Sequence, residues 1–234
     1  MEFWQGFAPP QAEAGPWRHD FPAGMPDGSR LRLPLRDFSD FAVAGLIANQ
    51  ASFSVVRQLA AWMAEAARPL GAEVVVGLPT LGHVFGPLVA EALGHPNWVA
   101  PGYSRKRWYE EALSVPMASI TTPTERRMWL DPRMLPRLTG RRVLLVDDVI
   151  STGSSARAGL ALMAAAGVTP VALCVAMAQG DRWGASWPVT VPVVAAFATP
   201  IFQPAPDGAQ GWVPCPGSLP LDCCPLLRAK DFCA

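Results

Sequence analysis

The chain carries no excess of charge, no long apolar run and few cysteines, and each lack removes a class of function. Its 234 residues hold 19 basic and 19 acidic side chains, with a pI near 6.8. No global basic field draws it to nucleic acid or to an anionic membrane surface. No apolar stretch reaches the roughly 18 residues of a membrane span. The opening Met1-Glu2-Phe3-Trp4-Gln5-Gly6 lacks the basic and apolar regions of a secretory signal. A soluble cytoplasmic protein, with neither nucleic acid nor membrane as partner, is the expectation. The cysteines number five, an odd count that argues against a disulfide framework. Cys174 sits in an apolar run and reads as a buried small hydrophobe. Cys215, Cys223, Cys224 and Cys233 crowd the end of the chain without a CxxC pair, so they read as ordinary tail cysteines, with metal binding left open. Neither GxxxxGK[ST] nor GxGxxG occurs, which leaves a general nucleotide-binding domain without its phosphate loop.

Half of the residues are apolar, enough for a substantial core. One stretch organises them: Val143-Leu144-Leu145-Val146-Asp147-Asp148-Val149-Ile150-Ser151-Thr152-Gly153-Ser154-Ser155. The apolar run reads as a buried parallel strand, and Ala156 to Ala166 as the helix that follows. A turn of Ser, Thr and Gly at a helix start offers backbone N–H groups, hydroxyls and the positive end of the dipole to an anion. Two carboxylates at the strand's carboxyl end lie where open α/β sheets bind ligands, and they accept hydrogen bonds from vicinal hydroxyls. Phosphate on the turn and a diol on the acids together describe a ribose 5-phosphate.

The remaining chain alternates strands and helices, which predicts an α/β fold with a mainly parallel sheet covered on both faces. Residues 1–30 are rich in Pro, Gly and Trp and read as an irregular arm. Arg30 to Arg36 alternates basic and apolar, which suits a short edge strand with a solvated basic face, the alternative being that its arginines reach a phosphate. Residues 40–48 and 52–67 read as helical, the second with Phe53, Val56, Leu59, Ala60, Met63 and Ala67 as its core stripe. Glu73–Gly77 is a buried strand. It runs through Leu78, Pro79, Thr80, Leu81 and Gly82 into a helix that ends at Leu93, making a second anion-capable junction. His83 reads as a helix N-terminal residue, with a phosphate or base role as the alternative. Asn97–Ala100 is the next strand. A long hydrophilic loop with Ser104, Arg105, Lys106 and Arg107 follows, then a ribbon from Leu113–Thr121 and Arg126–Leu130. An Asp131-led turn precedes the central strand. Val171–Ala176 and Val189–Val194 are further strands. Between them Asp181 is available to a metal and Trp183 to a flat ring. Residues 198–234 show no clear period.

The central stretch resembles the phosphoribosyl pyrophosphate (PRPP) signature of the type I phosphoribosyltransferases: apolar run, acid pair and Thr-Gly loop fall at the family's offsets. The layout around it is most similar to the adenine and xanthine branch. The resemblance covers about residues 40–197. It implies a sheet of about five strands flanked by helices, with a small hood from the terminal segments. The corresponding division is an N-terminal arm over 1–38, a core over 39–197 and a Pro- and Cys-rich segment over 198–234. It implies transfer of ribose 5-phosphate from PRPP to a nitrogenous base, such as adenine, with release of pyrophosphate. Mg²⁺ is the implied cofactor, cytoplasmic salvage the setting and a homodimer the assembly.

By the same resemblance Ser151 to Ser155 hold the 5-phosphate, and Leu78 to Gly82 hold the pyrophosphate. Asp147 and Asp148 grip the ribose hydroxyls and the metal shell. Ser104, Arg105, Lys106 and Arg107 form a cationic lid, whose charge stabilises the leaving pyrophosphate while closure excludes water. Hypoxanthine–guanine members carry an aspartate where this chain has Ser151, which weighs against a 6-oxopurine. Trp4, Trp17, Phe202 and Trp212 are the aromatics available to stack on the base. The alternative is a PRPP-binding regulator of the same fold without transferase activity; the retained lid cations favour the enzyme.

Overall fold

The computed structural model describes residues 3–10, 13–117 and 126–227. Three short strands open the chain: β1 (Phe7–Ala8), β2 (Asp20–Gly24) and β3 (Arg30–Asp37), followed by β4 (Ala42–Ala44). Then come α1 (Phe53–Ala67), β5 (Val74–Gly77) and α2 (Gly82–Ala92). An antiparallel ribbon, β6 (Ser114–Pro116) with β7 (Arg127–Trp129), leads to the single turn α3 (Leu135–Leu138). The remaining elements are β8 (Val143–Ile150), α4 (Ser154–Ala165), β9 (Ala172–Gln179), β10 (Val193–Thr199), β11 (Ile201–Pro204) and β12 (Trp212–Pro214).

The core is a parallel sheet of order β10-β9-β8-β5. Val99 adds a single parallel bridge to Val76 beyond β5, so the expected strand over Asn97–Ala100 is one bridge long. Successive residues of β8 enter opposite layers, as the period of a strand dictates. Leu144 and Val146 pack with α1 and α2, whereas Val143 and Leu145 pack with α4, α3 and the ribbon. Helices therefore cover both faces. Ser52 caps α1 by accepting from the Val55 N–H at 3.2 Å. Of the expected stripe on α1, Val56, Leu59, Ala60, Met63 and Ala67 are buried, but Phe53 is 80% exposed. It lies in the first turn, where the helix has not yet met the sheet.

The terminal segments build a second, antiparallel sheet of order β1-β3-β4-β11-β12, with β2 also paired to β3. Three expectations change here. Arg30 to Arg36 is an interior strand, since β1 and β2 pair with its first part and β4 with its last. Residues 42–44, expected to be helical, form β4, because all three are buried between β3 and β11 and satisfy their backbone groups there. The last core strand begins at Val193 and runs to Thr199, not over Val189–Val194; Val189 is fully exposed.

Only Pro200 separates β10 from β11. The second sheet therefore stands over the carboxyl end of the parallel one, and Gln179 Nε2 ties the two by donating to the Ala44 carbonyl at 2.6 Å. No helix among the described residues is long and apolar enough to cross a membrane.

Candidate functional site

The order of the parallel strands fixes where a ligand sits. From β5 the chain passes α2 on one face and returns to β8, whose helix α4 lies on the other face. Two adjacent strands thus send their carboxyl ends and loops into one crevice, the usual binding position of an open α/β sheet. Residues 78–82 lie against Val146 and Asp147, and residues 151–155 continue from the end of the same strand. The Leu78 N–H donates to the Val146 carbonyl at 2.7 Å, and the Gly82 N–H donates to the Asp147 carboxylate. A Cβ on Gly82 would stand 2.7 Å from the Val146 carbonyl oxygen and 2.9 Å from Asp147 Oδ1, so only glycine lets the loop come this close. The Pro79–Thr80 peptide is cis. Pro79 turns its carbonyl to the Tyr103 hydroxyl, which donates at 2.8 Å. The Arg126 guanidinium lies 3.5 Å above the Tyr103 ring.

Asp147 is 5% exposed, and Oδ1 accepts from the Asp148 N–H at 2.9 Å. Burial pushes its carboxyl well above the ordinary range, and the neighbouring Asp148 adds to that. Burial raises Asp148 as well. No basic side chain pairs with either carboxylate among the described residues. Two adjacent acids without a cation are a costly arrangement that a hydroxylated ligand or a metal ion relieves.

Beyond the acids, Gly153 takes φ +76° and starts α4 without a side-chain cap. The first-turn N–H groups of a twelve-residue helix are left for an anion. Residues 181–187 pack over this loop. Arg157 Nη1 donates to the Thr152 carbonyl at 3.0 Å and to Ser186 Oγ at 2.7 Å, and Arg182 Nη2 donates to Ser151 Oγ at 2.8 Å. Trp183 does not offer a stacking face: its indole N–H is bonded to the Gly180 carbonyl and its side chain packs against the core. Asp181 is exposed, and no group of three His, Cys, Asp or Glu side chains able to hold a metal occurs among the described residues.

The residues expected to form a lid, Ser104, Arg105, Lys106 and Arg107, are exposed. Arg105 pairs with Glu111 at 3.4 Å and lies 4.9 Å over the Trp129 ring, against the ribbon. The expected ribbon end over 118–121 lies outside the described residues, as does Cys233. Asp131 begins its turn as expected, accepting from the Arg133 N–H at 3.0 Å, and the Arg133 side chain holds its carboxyl far below the ordinary range. Cys174 is buried, as expected, and burial raises its thiol. His83 is half-buried, edge-on to Trp98 at 5.4 Å, and burial pushes its imidazole down.

The aromatics expected to meet a flat ring serve the core instead. Phe202 is fully buried against Phe21 and Trp17, Trp212 pairs its backbone with Trp17, and Trp4 donates its indole N–H to the Gly45 carbonyl. Sequence reasoning missed the pair that does line a cavity. Phe38 and Phe41 stack at 5.0 Å and 12° on the turn between β3 and β4, beside a cavity of about 410 Å³. Asp148, Ser151 and Gln179 also line it. Two phenylalanines three apart flanking Ser39-Asp40 were the available signal, but the run they frame is a tight turn, not the start of a helix.

Comparison with known proteins gives a consistent result. The phosphoribosyl transferase domain family matches residues 43–198. An adenine phosphoribosyltransferase of Frankia casuarinae is 31% identical over 161 residues, spanning 63% of this chain and 78% of that protein. One from Streptomyces coelicolor is 31% identical over 164 residues, spanning 64% and 82%. In fold, the chain is similar to crystal structures of the adenine phosphoribosyltransferases of Thermoanaerobacter pseudethanolicus (TM-score 0.53, 18% identity, 62% of this chain and 81% of that one) and Rhodothermus marinus (TM-score 0.51, 21% identity, 63% and 81%).

Proposed function

The chain belongs to the type I phosphoribosyltransferase family, and from that premise we propose that it transfers ribose 5-phosphate from PRPP to a nitrogen of a base. The bond from the anomeric carbon to pyrophosphate breaks, the bond to the base nitrogen forms with inversion, and the base gives up the proton of that nitrogen. The observation that carries this reading is that two strand–glycine turn–helix junctions stand at the ends of adjacent strands, beside one acid pair without a basic partner among the described residues. A ligand with phosphate groups at both ends of a diol matches that spacing of chemistry.

In this reading residues 151–155 and the start of α4 hold the 5-phosphate. Asp147 and Asp148 accept from the ribose hydroxyls. Residues 78–82 hold the pyrophosphate, and Arg105, Lys106 and Arg107 close over it from the loop that Ser104 begins. Much of the acceleration is then positioning and charge stabilisation. Mg²⁺ is the proposed cofactor; when bound, it offsets charge on the pyrophosphate. The donor set fits such an ion. Two neighbouring carboxylates without a third ligand suit a hard cation that takes most of its oxygens from substrate and water. The names of the relatives point first to a purine such as adenine as acceptor. A cytoplasmic homodimer acting in nucleotide salvage completes the reading on the same likeness.

Calorimetry of PRPP with Mg²⁺ tests it. Asp147→Asn combined with Asp148→Asn is expected to weaken binding by about 100-fold or more, the scale of losing two charge-assisted hydrogen bonds. Unchanged affinity removes the reading. PRPP binding without pyrophosphate release from any purine or pyrimidine identifies a regulator instead.

A further inference from the structure

We infer that the acceptor is an acidic heterocycle, a flat ring presenting a carboxylate or an ionised oxo group, and that Arg36 and Arg182 bind that oxygen. This rests on the transfer reading above and moves its acceptor away from adenine.

The cavity of about 410 Å³ adjoins Asp148 and Ser151, on the far side of the acid pair from residues 78–82. Its size suits one or two fused rings. The stacked Phe38 and Phe41 line it and provide flat apolar surface. Phe38 is 52% exposed, so the wall has room to be covered.

The polar groups of this lining decide which ring fits. Arg182 is held by two contacts, its guanidinium 5.1 Å from the Phe41 ring centre and one Nη donating to Ser151 Oγ. A guanidinium has five donors, so most of its donors remain for a ligand. Arg36 lies along Gly45, its Cδ 3.4 Å from where a Cβ on Gly45 would stand. Neither arginine has a carboxylate partner among the described residues. The contrast is on the same strand: Arg32 is paired with both Glu13 and Asp20. Gln179 spends its amide N–H₂ on the Ala44 carbonyl, which leaves its own carbonyl oxygen as an acceptor in the lining. Asp148 and the Ser151 and Thr152 hydroxyls in the lining are given to ribose and phosphate by the transfer reading, and what remains for the ring is two cationic forks and one neutral acceptor. An oxyanion beside a ring N–H satisfies all three, and guanidinium forks match planar oxyanions best. Adenine has only neutral ring nitrogens to accept from these forks and its exocyclic amino group adds a further donor, so it gains no charge-assisted pair and binds less tightly than an oxyanion.

Calorimetry on the full-length protein saturated with ribose 5-phosphate and Mg²⁺ tests this, with orotate, nicotinate, xanthine and adenine as probes. At least one of the three acids is expected to bind on the order of 10-fold more tightly than adenine. Arg36→Gln is expected to erase that preference while ribose 5-phosphate affinity stays within about twofold, and Arg182→Lys to keep part of it. Adenine binding as tightly as every acid, or no base binding at all, overturns the inference. So does a preference that survives both Arg36→Gln and Arg182→Gln. Pyrophosphate release from PRPP, measured in parallel, tests the transfer reading by itself. Release with adenine alone keeps transfer and sinks the acidic acceptor. Preferred binding of an acid without release from any base keeps the pocket chemistry and sinks transfer.

Discussion

At the scale of single residues, Asp147 is held against its own preference. Burial and Asp148 raise its carboxyl in the folded chain, so between the ordinary and the raised pKa the folded protein keeps a proton that the unfolded chain releases. The ligand-free protein therefore has its full stability below the ordinary carboxylate range and loses some as pH rises through the raised value. Asp147→Asn removes that cost while keeping an oxygen for the Asp148 N–H. Scanning calorimetry of the ligand-free variant at pH 7 is expected to give a higher Tm than the parent, each 1 kcal/mol reading as about 2–4 °C at this chain length. The difference is expected to vanish near pH 4. A variant less stable than the parent at pH 7 would show that the carboxylate is compensated in the free protein. Active sites commonly hold such strained charge in exchange for function.

At the scale of elements, the junction of β5 with α2 depends on one missing side chain. Gly82→Ala places a methyl group against the Val146 carbonyl and the Asp147 backbone, neither of which is a flexible side chain. A cost of about 1–3 kcal/mol is expected in denaturant unfolding, with weaker PRPP binding because residues 78–82 are pushed from the acids. Stability equal to the parent would mean that the loop relaxes freely. The elements most legible in the sequence are those whose signal is local. The apolar run, acid pair and glycine turn of β8 and α4 specify their own conformation, and the apolar stripe over residues 52–67 marks α1. β4 was illegible for the opposite reason. Its three residues are too few to show a period, and they become a strand through Ile201 and Phe202, more than 150 positions away. The wall of Phe38 and Phe41 was lost with it, because a turn read as a helix start sends its aromatics elsewhere. The lid residues were visible as a charged loop, but the docking of Arg105 on Trp129 depends on how the ribbon folds back.

At the scale of the molecule, two sheets share one core. Phe202, Leu31, Leu33 and Ala44 of the terminal sheet pack in the same cluster as Leu144, Cys174 and Phe197 of the parallel one. Phe202→Ala opens a void where both meet and is expected to cost about 3–5 kcal/mol by denaturant unfolding. One cooperative transition at a lower midpoint is the expected curve; two separated transitions would show that the sheets fold independently. The near-abutment of β10 and β11 has a temporal consequence. The roof of the crevice draws strands from both ends of the chain, so on the ribosome the parallel sheet has most of its partners before the roof has its last two. Until β11 emerges, β4 presents an open edge, and open edges invite pairing with other chains. Every residue lining the cavity beside Phe38 and Phe41 is made before β11, so its wall is complete in sequence while the sheet that carries it still lacks its last two strands.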